Sequence, residues 1–202
     1  LILLHLMLQL LTNNLYHGQL FLHKGRLDPS LLFFQKLISA ATSNPEYGQN
    51  GMVVSTSSQA SEAGIEILKK GGNAIDAAVA VGFALAVTSS SNGNIGGGGF
   101  LVASFANGLS ITLDHREKAP SNAHPNMFLN DSGSVIPGMS LYSRASSGVP
   151  GTVDGLIRVL EDHGSGNISL REVLNPAIEL AERGFFLSYF EANRLNVYKK
   201  FF

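Results

Sequence analysis

The chain has no cysteine, which excludes disulfides, thiolate metal sites and a cysteine nucleophile. The lack does not fix the compartment, since many exported proteins are also free of cysteine. Charge is scarce too: 14% of residues are Asp, Glu, Lys or Arg, and the formal net charge is −1. That balance gives no electrostatic reason to expect a nucleic acid or an acidic membrane surface as partner. Long apolar runs are missing. Leu1–Leu11 is interrupted by His5 and Gln9 and falls short of the roughly 20 residues that a membrane-spanning helix needs. The six histidines (5, 17, 23, 115, 124, 163) include no i, i+4 pair, so no metal site is expected. A G-x-S-x-G nucleophile elbow is also absent.

What remains is apolar and rich in glycine. With 45% hydrophobic and 8% aromatic residues over 202 positions, the chain can bury a core in one domain, or in a domain plus an extension. Residues 1–46 read as the extension, an unstructured leader or an export signal. Leu31–Leu37 follows Lys24 and Arg26 and runs into Ser39-Ala40-Ala41, a pattern similar to a signal with its cleavage site. A periplasmic, extracellular or membrane-associated location is thereby favoured over a cytoplasmic one. Both ends are abrupt, and the expectation is a fragment.

Ordered structure is expected from about residue 47. Gly51–Thr56 reads as a short β-type run. Ser57 or Ser58 then caps a helix whose Ala60, Ala63, Gly64, Ile67 and Leu68 follow the amphipathic template. Glu66 precedes Lys70 by four residues in the favourable order, and Gly71-Gly72 supplies the stop. Asn73 caps the next helix, with Asp76 as the acidic member of a capping box, so Asp76 reads as structural. Residues 74–87 are apolar except for Asp76 and Gly82, which predicts a helix buried on every side.

Gly93-Asn94-Ile95-Gly96-Gly97-Gly98-Gly99-Phe100 follows. Four glycines in a row suit neither helix nor strand. They are expected where the backbone needs positive φ, or where it lies closer to a neighbour than a Cβ allows. Gly96, Gly97, Gly98 and Gly99 are therefore expected to support a site rather than to act as ligands. Phosphate binding is disfavoured: a helix precedes the run, a strand follows it, and no lysine or hydroxyl residue closes the loop. Leu101–Ala106 and Leu109–Asp114 flank Asn107-Gly108, a hairpin signal, with Leu109, Ile111 and Leu113 on the apolar face. Residues 121–147 are polar and loop-rich. Further helices are expected after Pro150, with Val153, Leu156, Ile157 and Leu160 inward, and after the Ser169–Glu172 capping box, ending at Gly184 with Pro176 inside.

The charged turn Asp114-His115-Arg116-Glu117-Lys118 sits at the carboxyl end of a strand. Arg116 has two readings. Its guanidinium offers paired donors that match a carboxylate, or it is a surface arginine paired with Asp114 or Glu117. No nucleophile with a positioned base is evident.

Four segments together resemble one family. Ala60–Ala80, Gly93–Phe100, Asp114–Pro120 (D-H-R-E-K-A-P) and Gly148–Gly155 (G-V-P-G-T-V-D-G) are similar, in order and spacing, to the large-subunit region of gamma-glutamyltransferases. The likeness covers about residues 51–195; Ser89-Ser90-Ser91-Asn92 departs from the proline- or histidine-containing turn common there. It implies an α/β (α+β) four-layer αββα N-terminal-nucleophile hydrolase sandwich, with only the N-terminal portion in residues 47–202. It further implies a precursor that cleaves itself to free a threonine as the first residue of a small subunit. That threonine takes the gamma-glutamyl group from glutathione or a related amide and passes it to water, an amino acid or a peptide, with no cofactor. Arg116 then matches the arginine that grips the α-carboxylate of the glutamyl group. No catalytic residue is expected within these residues. The six threonines (12, 42, 56, 88, 112, 152) are all internal and none is followed by threonine or histidine, so the chain alone is expected to be inactive. The alternatives are another acylase of the same fold (cephalosporin-acylase-like or a capsule-polymer transpeptidase) or an inactive truncated product.

Overall fold

The computed structural model describes residues 47–199 apart from 90, 93 and 94. The leader and export expectations for residues 1–46 lie outside the described residues, as do Ser90, Gly93 and Asn94 within the two loop segments singled out above.

Local chemistry sets the helix ends where the sequence predicts them. Helix α1 (Ser58–Lys69) is capped by Ser57, whose hydroxyl accepts the Ala60 N–H. Ala60, Ala63, Gly64 and Ile67 form its buried face. Lys70 and Glu66 pair at 2.6 Å, and Gly71 takes the left-handed conformation, φ 93°, that turns the chain out of the helix. Helix α2 (Ala74–Thr88) opens on the full Asn73–Asp76 capping box. Asp76 is wholly buried. Its carboxylate accepts the Asn73 N–H at 2.7 Å and the Ser165 N–H at 3.0 Å, while the Asn73 amide donates to the His163 carbonyl at 2.9 Å. One cap thus holds the start of α2 to the end of another helix, and Asp76 is structural, as its position implied.

Strands β1 (Phe100–Ser104) and β2 (Ser110–Asp114) pair antiparallel, with Phe100 opposite Asp114. Gly108, at φ 86°, completes the turn, and its N–H donates to the Phe105 carbonyl at 2.9 Å. A short helix α3 (Met139–Tyr142) and a 3-10 turn (Arg144–Ser146) punctuate the long loop. Helices α4 (Thr152–His163), α5 (Leu170–Arg183) and α6 (Tyr189–Tyr198) follow. The Ser169–Glu172 box opens α5 and Gly184 ends it.

Helix α2 is the centre of the packing and lies against α1, α4 and α5. Ile67, Ile75, Val79, Leu156, Val159 and Val173 form the main core, against which Leu101, Ala103, Ile111 and Leu113 of the hairpin lie. Ala60, Ala63, Ala84 and Ala177 make a second cluster in which small side chains let the helices approach. Gly82, the odd residue of the apolar helix, makes room for Leu156: a Cβ there would stand 2.9 Å from Leu156 Cδ1.

Four local expectations are corrected. Gly51–Thr56 forms no strand among the described residues, because a strand exists only through a ladder partner. Helix α2 is not buried on every side, since Ala74 and Ala78 are exposed and line an open groove with Leu101, Ala103 and Leu156. In α4 the inward face is Thr152, Gly155, Leu156 and Val159 and Val153 is exposed, a rotation imposed by what Gly155 touches. In β2, Ile111 and Leu113 are half-buried and face the core, but Leu109 belongs to the turn and is exposed.

Candidate functional site

The described glycines of the run come next to the charged turn. Gly99 and His115 exchange backbone hydrogen bonds, Gly99 N–H to His115 O at 3.3 Å and His115 N–H to Gly99 O at 3.0 Å. One residue earlier the approach is closer still. A Cβ on Gly98 would lie 2.5 Å from the His115 carbonyl oxygen and 2.8 Å from both Arg116 Cα and Glu117 N. Gly98 and Gly99 lie outside the left-handed region that Gly71 and Gly108 occupy. Of the two reasons foreseen for the run, close approach is the one that holds at Gly98.

The other side of the turn is lined by Gly148–Gly155. Lys118 and Val149 exchange N–H···O bonds at 3.1 and 2.8 Å. A Cβ on Gly151 would overlap the His115 carbonyl, and one on Gly155 would overlap His115 Cβ. Gly151 precedes α4 without a side-chain cap. The Gly97 carbonyl supplies the missing acceptor, taking the Gly151 N–H at 2.9 Å and the Thr152 N–H at 3.1 Å, which satisfies donors that a helix start leaves open. Two segments far apart along the chain, the glycine run and residues 148–155, thus close around residues 115–117. The His115 ring is gripped so closely that its Nδ1 is buried without a hydrogen-bond partner among the described residues.

Arg116, held by this arrangement, is exposed. Its N–H donates to Asp114 Oδ1 at 3.1 Å, so the neighbouring carboxylate engages the backbone rather than the guanidinium. No ion pair of Arg116 with Asp114 or Glu117 exists among the described residues. The guanidinium instead lies over the Phe100 ring, 5.7 Å from its centroid. This leaves its planar fork of donors open to an external anion. Sequence reasoning singled out Arg116 and the glycine run but not the contact with Phe100. The signal was available: position 100 opens the strand that pairs with the one ending at Asp114. No cluster of histidine, aspartate and glutamate that could hold a metal occurs among the described residues.

The model of the gamma-glutamyltranspeptidase family matches residues 60–202. A glutathione hydrolase proenzyme of Pseudomonas sp. (strain A14) is 47% identical over 158 residues, covering 78% of this chain and 27% of that protein. The glutathione hydrolase proenzyme of Escherichia coli (strain K12) is 44% identical over 155 residues, covering 77% of this chain and 26% of its own. The crystal structure of Helicobacter pylori gamma-glutamyltranspeptidase superposes with a TM-score of 0.73 at 45% identity, over 78% of this chain and 44% of that one. The chain spans about a quarter of the length of the curated relatives it matches, and its helices and hairpin are part of the N-terminal-nucleophile hydrolase fold of those structures. The segments that converge on Arg116 are thus those of a known fold, and the chain belongs to the gamma-glutamyltranspeptidase family.

Proposed function

We propose that this chain forms the N-terminal part of the large-subunit region of a gamma-glutamyltransferase that hydrolyses glutathione and related gamma-glutamyl amides. Within it, Arg116 binds the α-carboxylate of the glutamyl group. The observation that carries this reading is the state of the Arg116 guanidinium: it is exposed, its backbone is clamped on two sides by glycine segments, and the adjacent carboxylates do not neutralise it. A charge fixed in place and left without an ion pair is suited to an anionic ligand, because the cost of ordering it is met in folding rather than in binding. Gly98 and Gly99 serve this site as spacers. They set the distance between the run and the turn and need not touch substrate.

The bond-breaking step in this reading belongs to a threonine freed by self-cleavage of a precursor. Its α-amine takes the proton of its own hydroxyl, whose oxygen attacks the gamma-glutamyl carbonyl; the C–N bond breaks, the amine leaves with that proton, and the acyl group then passes from the threonine oxygen to water, an amino acid or a peptide. The small subunit of the same precursor is then the partner that completes the site. Relatives named as glutathione hydrolase proenzymes support this over an acylase or capsule-polymer transpeptidase of the same fold.

The test is Arg116→Ala in the full-length protein that contains these residues, assayed with a gamma-glutamyl anilide. Losing a charge-assisted partner of a carboxylate costs about 1.5–3 kcal/mol, so kcat/KM should fall roughly tenfold to hundredfold. Arg116→Lys should recover only part of it, because one ammonium cannot match both carboxylate oxygens. Near-normal kcat/KM in Arg116→Ala would overturn the assignment.

A further inference from the structure

We propose that Phe100 is the positioning residue that aims Arg116, so that affinity for the substrate carboxylate depends on a ring that does not itself touch the carboxylate. The inference rests on Arg116 being the carboxylate ligand.

Phe100 follows the glycine run directly and opens β1, opposite Asp114 in the ladder. Two further residues carry the chain from Asp114 to Arg116. The alternation of β1 sends Leu101 and Ala103 to the core and leaves Phe100 on the other face, 67% exposed. Among the described residues the ring has a defined partner: the Arg116 guanidinium carbon stands 5.7 Å from its ring centroid. That is within the range at which a cation is attracted by the negative face of an aromatic ring. The two anchors of Arg116 act on different parts of the residue. The Asp114 carboxylate fixes its backbone N–H at 3.1 Å, and the Phe100 face restrains the far end of a long, otherwise free side chain. A ring uses none of the N–H donors, whereas an acidic side chain in the same place would consume the fork meant for the ligand. An aromatic support is therefore compatible with carboxylate capture in a way that an ion pair is not.

The experiment is a double-mutant cycle in the full-length protein that contains these residues, with KM and kcat read separately for a gamma-glutamyl anilide. Phe100→Leu should raise KM about two- to fivefold, the equivalent of an exposed cation–π contact, with kcat nearly unchanged. In an Arg116→Ala background the same change should add nothing, because the ring then has no cation to aim. Phe100→Tyr keeps an electron-rich face and should keep KM. Should Phe100→Leu fail to mature, replacing Phe100 by pentafluorophenylalanine retains the ring's outline but reverses the charge of its face, and should raise KM by itself. Unchanged KM with that ring overturns the inference. So does an effect of Phe100→Leu that is equal in both backgrounds, which would mark Phe100 as packing alone. If Arg116→Ala lowers kcat/KM while all Phe100 variants behave as wild type, only the positioning role is lost. If Arg116→Ala itself changes nothing, the carboxylate reading falls and the positioning role falls with it.

Discussion

Between α1, α2 and α5 the interior is occupied by Ile67, Val79 and Val173, all fully buried; around His115 the interior is defined by side chains that are missing. Gly98 and Gly151 bring backbone, and Gly155 the His115 side chain, to within collision distance of where a Cβ would stand. The helical layer is stabilised by apolar area removed from water and tolerates small volume changes by shifting side chains. The site turn has little apolar area to gain, and Arg116, Glu117 and Lys118 are exposed. Its position depends on backbone hydrogen bonds between Gly99 and His115 and between Lys118 and Val149, which require the strands of chain to lie at fixed separation. A filled core resists unfolding, whereas a glycine-lined turn resists displacement. The second property is the one the proposed role of Arg116 requires.

The sharpest way to break this contrast is at Ile67. Truncation of a fully buried isoleucine typically costs about 2–5 kcal/mol, so Ile67→Ala should lower stability by that amount in a denaturant titration. The folded fraction should keep its KM for a gamma-glutamyl substrate, and a changed KM would mean that core and site are not independent. Next in size is Gly98→Val. The added atoms meet the His115 carbonyl and the Arg116 Cα rather than a flexible side-chain end, and overpacking of this kind costs about 1–3 kcal/mol. Reduced thermal stability or failed maturation is expected before any change in substrate choice. A soluble, matured Gly98→Val protein with wild-type Tm and altered specificity would contradict the spacer role. Gly108→Ala sharpens the comparison, because there a Cβ meets open space while φ is 86°. Its cost is conformational only, about 1 kcal/mol, and it should leave KM untouched.

The smallest effect belongs to the cap of α5. The Ser169 hydroxyl, and then its backbone N–H, hold the Glu172 carboxyl below its ordinary value. A carboxyl depressed by folding contributes stability that is present above its unfolded pKa and is lost as pH falls through the folded value. Tm should therefore decline slightly on acidification through the lower carboxylate range, and Ser169→Ala should flatten that decline. An identical acid limb in both proteins would show that the hydroxyl does not act on Glu172.

Much of the helical layer was legible in the sequence. Ser57, the Asn73–Asp76 and Ser169–Glu172 boxes, Gly71, Gly184 and the Asn107-Gly108 turn all act between residues a few positions apart, so their geometry follows from local chain stereochemistry. The amphipathic face of α1 was readable for the same reason. Arg116 was readable as a candidate because the strand-end turn and the resemblance both pointed to it, although its free guanidinium was not: Asp114 and Glu117 were equally plausible partners on spacing alone.

By itself, the sequence determined where α1, α2 and α5 start and stop, which residues are apolar enough to form a core, and, through its four matching segments, the family. Tertiary structure alone decided which face of α4 turns inward, since Gly155 must receive His115. It also decided that close approach rather than positive φ governs Gly98, that Gly97 caps a helix more than 50 positions further on, and that Phe100 lies beneath Arg116. The physical reason is range. Caps and turns are settled by the dihedral angles of neighbouring residues, whereas a missing Cβ or an exposed ring acquires its meaning only from the distant segment that folding brings against it.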